Sequence, residues 1–570
     1  MDSLEIVKQY HEMTKHDFNR YAPALGYMDW ANQPNPFRRY EGAAFIQLPI
    51  LTQDQEPPSP FYESLYAQQS LPSHPLTLPS VSRFLEYALS ITAWKVAGEN
   101  KWALRSNPSS GNLHPTEGYL FLGETLGETL VPGLYHYAPK EHGLEQRMTC
   151  SSELAAQLLH AFPPHTILMG LSSIHWREAW KYGERAFRYC QHDIGHALGT
   201  VRIAAATLGW KVILLTELTD QTVGSFLGLN RLQDFDQNEP ELPELIMAIW
   251  PHLDCKPPPI SLSLPLETID SLMEQHWVGS ANRLSRDKPI PWEGIDAVTK
   301  ASWKKTNTSS KDSISYLSPQ DTSDSPAPGP LTLDHNQISA HQIIHQRRSA
   351  LAFDGQTSIS ASRFFTMLER VMPQAGKPIR ERPQPWDILP WSPTIHLAMF
   401  VHRVDDLPSG LYLLLRDSTS SKKDMFQSAM HEQFVWDTPT SCPNDLPLYL
   451  LEEGNSQKIA MQVSCWQEIG SDSAVALGMI AEFDSTLDEY GPWFYKRFFW
   501  EAGLIGQVLY LEAEAAGIQA TGIGCFFDDP VHRVLGFPDT RFQSLYHFTI
   551  GGAVEDTRLT TLPPYGDHLS

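Results

Sequence analysis

At 570 residues the chain is too long for one compact core, and two to four domains are expected. Its composition is that of a soluble globular protein, with 42% hydrophobic residues, and its formal charge of −23 disfavours nucleic-acid phosphate and anionic lipid as partners. No window approaches the ~20 apolar residues that cross a bilayer, and the opening MDSLEIVKQYHEMTKHD lacks the basic-then-apolar pattern of a signal peptide, so a cytoplasmic location is expected.

In chain order, the first helix-like run is Val81–Trp94, followed by a turn-rich stretch, Arg105-Ser-Asn-Pro-Ser-Ser-Gly-Asn-Leu-His-Pro115. Gly118–Leu122 reads as a strand, and Pro132-Gly-Leu-Tyr-His-Tyr137 as a strand entered from a tight turn. Gly195–Gly209 reads as a helix closed by glycine, and Lys211–Thr216 as the next strand. From Thr306 to Asp334 the chain is rich in Ser, Thr, Asp, Pro and Gly, which predicts a flexible linker, and Lys256-Pro-Pro-Pro259 predicts a surface wrap without a core. Beyond the linker the same features return. Ser409-Gly-Leu-Tyr-Leu-Leu414 repeats the turn and strand, Gly503–Gly517 repeats the glycine-ended helix at an offset of 308, and Val534-Leu-Gly-Phe537 repeats Phe226–Leu229 at that offset. Leu545–Ile550 is a further strand. A period this long indicates duplicated domains, and the mixture of strands and long helices places both copies in the α+β class.

Three stretches carry candidate chemistry. Arg347, Arg348 and Ser349 offer two guanidiniums and a hydroxyl, suited to a phosphate or an electron-rich ring edge, although Arg-Arg alone is equally an ordinary solvated helix start. Pro108, Ser109, Ser110 and Asn112 belong to a loop of small residues that lets backbone amides approach a ligand, with Arg105 just upstream. Thr521-Gly-Ile-Gly-Cys525 puts glycines in a strand, as a β-bulge or as a wall against which a planar ring can lie.

Together these stretches resemble the nitroreductase superfamily of FMN-dependent oxidoreductases. More narrowly, Arg177-Glu-Ala-Trp-Lys-Tyr-Gly-Glu-Arg-Ala-Phe-Arg-Tyr189 followed by Asp193-Ile-Gly-His196 is similar to the SagB-type branch, which includes azoline dehydrogenases of peptide natural-product pathways. Tyr10-His11, Thr14-Lys15-His16 and Asp29-Trp30 resemble the N-terminal segment of its tandem members. The resemblance implies two fused nitroreductase-like domains, each a sheet surrounded by helices, forming an intramolecular pseudo-dimer. The expected divisions are an N-terminal extension over 1–79, a first domain over 80–255, an extension and linker over 256–337, and a second domain over 338–570. It also implies one FMN at the interface, held by Arg105, Pro108, Ser109, Ser110 and Asn112 from the first domain and by Arg347, Arg348, Ser349, Gly522, Ile523, Gly524 and Cys525 from the second. A backbone amide of Gly524 or Cys525 would face the flavin N5. Many members carry another Arg or Lys where this chain has Leu351, and Arg558 is the candidate replacement. The reciprocal site is expected to be lost, because Ser80-Val-Ser-Arg83 and Pro390-Trp-Ser-Pro-Thr-Ile395 keep little of the pattern.

Lys181-Tyr182 matches the pair that, in azoline-oxidising relatives, removes a proton while hydride passes to FMN; the alternative is an exposed Lys beside a core Tyr. Tyr495-Lys496 has the reverse order and is expected to be structural. His192 and His196 are spaced i, i+4, yet no third ligand completes a site, so helix packing is expected and no metal. The six cysteines include no C-x-x-C pair, which argues against a disulfide framework or a zinc site, and Cys525 shows no paired His and is not read as a nucleophile. Three functions follow. The first is dehydrogenation of a C–N or C–C bond of a small molecule or peptide, azoline to azole in its sharpest form. The second is NAD(P)H-driven nitro or quinone reduction. The third is a flavin-free scaffold that binds a peptide or partner. The sequence leaves open whether the halves pair within one chain or between two chains of a homodimer.

Overall fold

The computed structural model describes residues 2–67, 71–252, 263–306, 338–374, 376–417 and 419–566. The expected linker, apart from Thr306, and the Lys256–Pro259 segment lie outside the described residues.

Two antiparallel sheets share one strand order. In the first, the strands run Ala44–Gln47, Gly143–Thr149, Gly133–Ala138, Thr116–Leu122, Ile167–Ser173, Leu242–Pro251 and Trp210–Leu214 across the sheet. In the second the order is Leu448–Glu453, Gly410–Leu414, Ile395–Val401, Val475–Glu482, Phe542–Gly551 and Gln519–Ile523. Apart from the edge strand Ala44–Gln47, the two sheets correspond strand for strand, so the chain contains two fused α+β domains. The central strands are apolar runs buried along their whole length, as strands covered by helices on both faces must be.

Each domain contributes one long helix to the interface, Ala186–Thr207 and Tyr495–Ala515. Glycine inside a helix costs about 1 kcal/mol relative to alanine, so its presence points to close packing. A Cβ on Gly195 would lie 2.8 Å from the Gly503 Cα, and one on Gly503 would strike the His192 carbonyl. Ion pairs repeat the same symmetry. Arg188 of the first domain pairs with Asp528 of the second at 2.9 Å, and Lys496 of the second pairs with Asp220 of the first. Both partners of one pair are offset by 308 from those of the other. Arg202 adds a two-pronged contact to Asp387, at 2.8 and 2.7 Å.

The chain ends lock the halves further. The helix Ser3–Met13 brings His11 between the Tyr495 hydroxyl (3.1 Å) and Gln543 Oε1 (3.2 Å) of the second domain. The C-terminal strand Thr560–Leu562 pairs with Ile91–Ala97 of the first domain, beside Asn100–Arg105.

The expected helix Val81–Trp94 is corrected. The helix is Leu78–Leu89, and Ser90 ends it with extended backbone and its hydroxyl bonded to the Glu86 carbonyl. The following Ile-Thr-Ala-Trp-Lys-Val run, rich in β-branched and aromatic residues, forms a strand instead. The two long interface helices also begin earlier than their glycines suggested, so Gly195 and Gly503 lie inside them.

Candidate active site

A cleft of about 660 Å³ opens between the domains. One wall is the 105–114 loop and the other combines residues 347–351 with 521–525, so it gathers Arg105, Pro108, Ser109, Ser110, Asn112, Arg347, Arg348, Ser349, Gly522, Ile523, Gly524 and Cys525 along one space. Tyr189, Asp193 and His196 of the first long helix line the same cleft, with Tyr510 and Tyr546 from the second domain.

The first wall is a tightly wound loop. Gly111, Asn112 and His114 all have left-handed backbone, with φ of 60°, 59° and 51°. Such conformations are uncommon for non-glycine residues and need compensating bonds. Those bonds are present. The Asn112 side-chain amide donates to the Ala103 carbonyl at 2.9 Å, and Ser109 Oγ accepts the His114 amide at 2.8 Å. The Ser110 amide and hydroxyl both donate to Asp193 Oδ1, at 3.1 and 3.3 Å. Gly111 has a second requirement, because a Cβ there would lie 2.5 Å from the Tyr182 hydroxyl and 3.1 Å from Lys181 Nζ. Arg105 lends mainly its backbone. Its guanidinium donates to the Pro36 carbonyl at 2.6 Å, whereas its carbonyl accepts from Arg347 at 2.8 Å.

The second wall lies along the edge strand Gln519–Ile523. Ser349 bridges to Ala520, and the Tyr510 hydroxyl sits between Ser349 Oγ (2.8 Å) and the Gly522 amide (2.9 Å). Gly522 and Gly524 leave room for Tyr546 and Tyr189, whose rings a side chain at either glycine would strike. Arg347 is buried and Arg348 half-buried, and among the described residues neither forms a carboxylate ion pair. Burial lowers the Arg347 pKa, while burial and the adjacent Arg347 lower that of Arg348 to about 10. Lys95, from the first-domain strand, also lines the cleft and is lowered by burial and by Arg348. Arg347 raises the electrostatic cost of Arg348, and Arg348 that of Lys95; with Glu514, Glu555 and Asp556 only partly offsetting them, the three cations form a site suited to an anion. Leu351 lines this region and is 67% exposed. Arg558, the expected stand-in for a cation there, is not among the lining residues; it is 86% exposed at its side chain and clasps Asp556 at 2.8 Å. Lys95, whose ammonium donates to Thr561 Oγ1 at 2.7 Å, is a further cation along the cleft. Sequence reasoning missed it because a lone lysine in a strand signals nothing until the strand is placed.

Lys181 and Tyr182 end the helix His175–Tyr182. Tyr182 lines the cleft and packs edge-on against Tyr189 at 4.6 Å, while Lys181 is exposed with its ammonium 5.1 Å from the Tyr182 ring centre. Behind them lie two buried carboxyls. Burial pushes Asp193 up to about 7, and burial together with Asp193 pushes Glu178 well above the carboxylate range. Asp193 Oδ2 and Glu178 Oε2 have no hydrogen-bond partner among the described residues. His192 stacks on Tyr546 at 4.1 Å and serves packing, whereas His196 Nε2 meets the Tyr546 hydroxyl at 3.1 Å in a polar contact. Cys525 faces His16, which the N-terminal segment delivers from more than 500 positions away. His16 belongs to the Thr14-Lys15-His16 motif, but its approach to Cys525 could not be read from that motif.

The pseudo-symmetric position is filled. There Leu214–Thr216 take the place of Gly522–Gly524, and the space is about 40 Å³. Lys304 enters it, donating to the Thr216 carbonyl at 2.8 Å and lying 5.1 Å from the Trp493 ring centre. Glu501, offset by 308 from Asp193, accepts from the Thr394 and Ile395 amides but is also paired with buried Arg416. Arg83 is no stand-in for the Arg-Arg-Ser element, since it is spent on the Leu51 and Pro57 carbonyls and on Glu86.

A crystal structure of a "putative nitroreductase" from Anabaena variabilis covers 96% of this chain and 99% of its own length, at a TM-score of 0.67 and 22% identity. The fold is the nitroreductase fold. A Methanocaldococcus jannaschii protein named a "putative nitroreductase" is 27% identical over 161 residues, spanning 27% of this chain and 76% of its own length. The Escherichia coli microcin synthetase complex McbBCD, with a truncated pro-MccB17 bound, matches 44% of this chain and 92% of its own chain at 20% identity and a TM-score of 0.26, too low to bear on the fold. No family model matches the chain. Among the described residues no helix of this nitroreductase fold is long and apolar enough to cross a membrane.

Proposed function

We propose that the chain is an FMN-dependent oxidoreductase holding one flavin in the interdomain cleft. The observation that carries this reading is the contrast between a 660 Å³ cleft built from both domains and a 40 Å³ remnant at the symmetric position. The donor set fits the group. Arg347, Arg348 and Lys95 supply cations for a phosphate or for the pyrimidine edge, and the 109–112 loop supplies hydroxyls and a polar side chain. Gly522 and Gly524 let the Tyr546 and Tyr189 rings close against the strand, so that these aromatic rings help line the cleft. When bound, FMN supplies hydride transfer.

The residues at the mouth of the cleft point to dehydrogenation of a C–N or C–C bond. Lys181 and Tyr182 stand together against Gly111, and Tyr182 lines the cleft with the exposed Lys181 beside it. Lys181, with Tyr182 orienting it, takes the proton that must leave the substrate as its C–H bond breaks. Asp193 holds the loop that carries this side of the cleft. An azoline in a peptide, oxidised to an azole, is the sharpest form of this reading, and it rests on the match of the Lys-Tyr motif. Anaerobic mixing of the flavin-loaded protein with an azoline-containing peptide should bleach the flavin and yield azole. Bleaching by NAD(P)H, with no response to any azoline peptide, would favour nitro or quinone reduction. A chain that neither carries nor takes up flavin would support the scaffold reading.

A further inference from the structure

Cys465 and Cys525 are 60 residues apart in sequence, yet their sulfurs stand 2.8 Å from each other. Both side chains are partly exposed, and Cys525 lines the cleft. Cys465 follows the helix Gln457–Val463 on a turn in which it and Trp466 both adopt left-handed backbone, with φ of 55° and 60°. Two consecutive non-glycine residues in that region carry strain that surrounding contacts must hold, and such strain gathers at functional sites. Gln467 is one such contact. Its side-chain amide donates to the Ser464 carbonyl at 2.8 Å and to the Cys525 carbonyl at 3.0 Å, tying the two cysteine segments together.

The surroundings favour a thiolate at Cys525. His16 is fixed by its Nδ1, which accepts the Ala22 amide at 2.9 Å, and by its own amide, which donates to Asp528 at 2.9 Å. Its ring faces Cys525, and the Arg185 guanidinium donates to the adjacent Gly524 carbonyl at 3.2 Å. The S–H···S contact with Cys465, helped by His16 and Arg185, lowers the Cys525 pKa and raises that of Cys465. Cys525, which lines the cleft, is the sulfur placed to attack, and Cys465, in contact behind it, is placed to resolve.

We propose that Cys465 and Cys525 form a redox-active dithiol that a low-molecular-weight disulfide oxidises to an intramolecular disulfide at the edge of the cleft. The Cys525 thiolate attacks one sulfur of the disulfide RSSR. That S–S bond breaks, RS⁻ leaves and takes up a proton, and a mixed disulfide forms on Cys525. Cys465 then loses its proton and attacks the Cys525 sulfur, expelling the second RS⁻. Two protein thiols and RSSR become one protein disulfide and two RSH, so the protein gives up two electrons and the external disulfide takes them. The exchange needs no flavin and stands apart from the proposed oxidoreductase activity.

The test is oxidation of the native full chain by oxidised glutathione at pH 6, followed by alkylation and peptide mapping without reduction. The 465–525 linked peptide should be the main product, forming at least about tenfold faster than any modification of Cys150 or Cys442, whose thiols burial pushes up to about 11. In Cys465→Ser the reaction should stop at one glutathione adduct on Cys525. Absence of the linked peptide from the wild-type map, or adducts spread over the other cysteines, would overturn the proposal. The wild-type map decides even if the variant does not fold.

Discussion

Gly195 and Gly503 face each other where the two long helices cross, 308 residues apart and with a Cβ on either glycine meeting the other's Cα at 2.8 Å. The pseudo-dyad of the molecule passes through this contact. The same offset relates Arg188 to Lys496, Asp220 to Asp528, and Asp193 to Glu501, so a duplicated chain still displays its ancestral two-fold at the level of single side chains. What the symmetry no longer relates are the two cavities.

Gly503→Ala should loosen the interdomain packing. The added methyl has only backbone around it, including the His192 carbonyl and the His196 amide at 2.9 Å, and backbone cannot step aside as a side-chain tip can. A loss of about 1–3 kcal/mol is expected from urea unfolding. Unchanged stability would mean that the helices do not approach as closely as described.

Gly111→Ala should weaken ligand binding in the cleft more than it weakens the fold. Alanine at φ +60° costs about 1–2 kcal/mol, and its methyl meets the Tyr182 hydroxyl at 2.5 Å. FMN affinity by fluorescence titration should fall at least tenfold, about 1.4 kcal/mol. Adding Tyr182→Phe should recover part of the loss, because the hydroxyl is the nearest obstacle.

Asp193 gives a pH signature. Its pKa rises on folding from the ordinary carboxyl value to about 7 because it is buried. The stability tied to its protonated form is present below the unfolded pKa and is lost as pH rises through about 7. Asn at this position still accepts the Ser110 amide and cannot ionise. The stability of Asp193→Asn relative to wild type should therefore increase from pH 4.5 to pH 7 and level off above it, read by urea unfolding at several pH values. A difference that is flat with pH would show that Asp193 does not titrate there.

Lys181→Ala tests the proposed base. Lys181 is exposed and makes no structural ion pair among the described residues, so folding and flavin content should be unchanged. Turnover of a dehydrogenation substrate should fall about 10²- to 10⁴-fold. Normal turnover would remove Lys181 from the chemistry and leave Tyr182 as a wall residue.

Much of this was legible in the sequence, and the exceptions have physical causes. The duplication could be read because glycines at helix crossings and turns cannot drift without collision, as Gly195 and Gly503 show. The two walls of the cleft could be read because small residues and paired arginines are rare combinations. The break at Ser90 was missed because Val81–Trp94 carries an apolar pattern that fits a helix throughout, and only the β-branched run after Ser90 argues otherwise. Lys95, Arg416 and the role of His16, which was read only as part of a motif, were missed because each acts across a tertiary contact with no local signal. Lys95 joins the cation cluster, Arg416 pairs with Glu501, the counterpart of Asp193, and His16 meets Cys525 from the far end of the chain.

In the proposed function one cleft, shared between the two domains, holds a single cofactor. Flavin released by denaturation, after reconstitution with excess FMN and removal of unbound ligand, can be counted against protein by absorbance. One FMN per chain is expected, with loss of binding in an Arg347→Ala/Arg348→Ala variant that keeps its fold. Two per chain would show that the symmetric site is open after all, and none would show that the cleft serves something other than flavin.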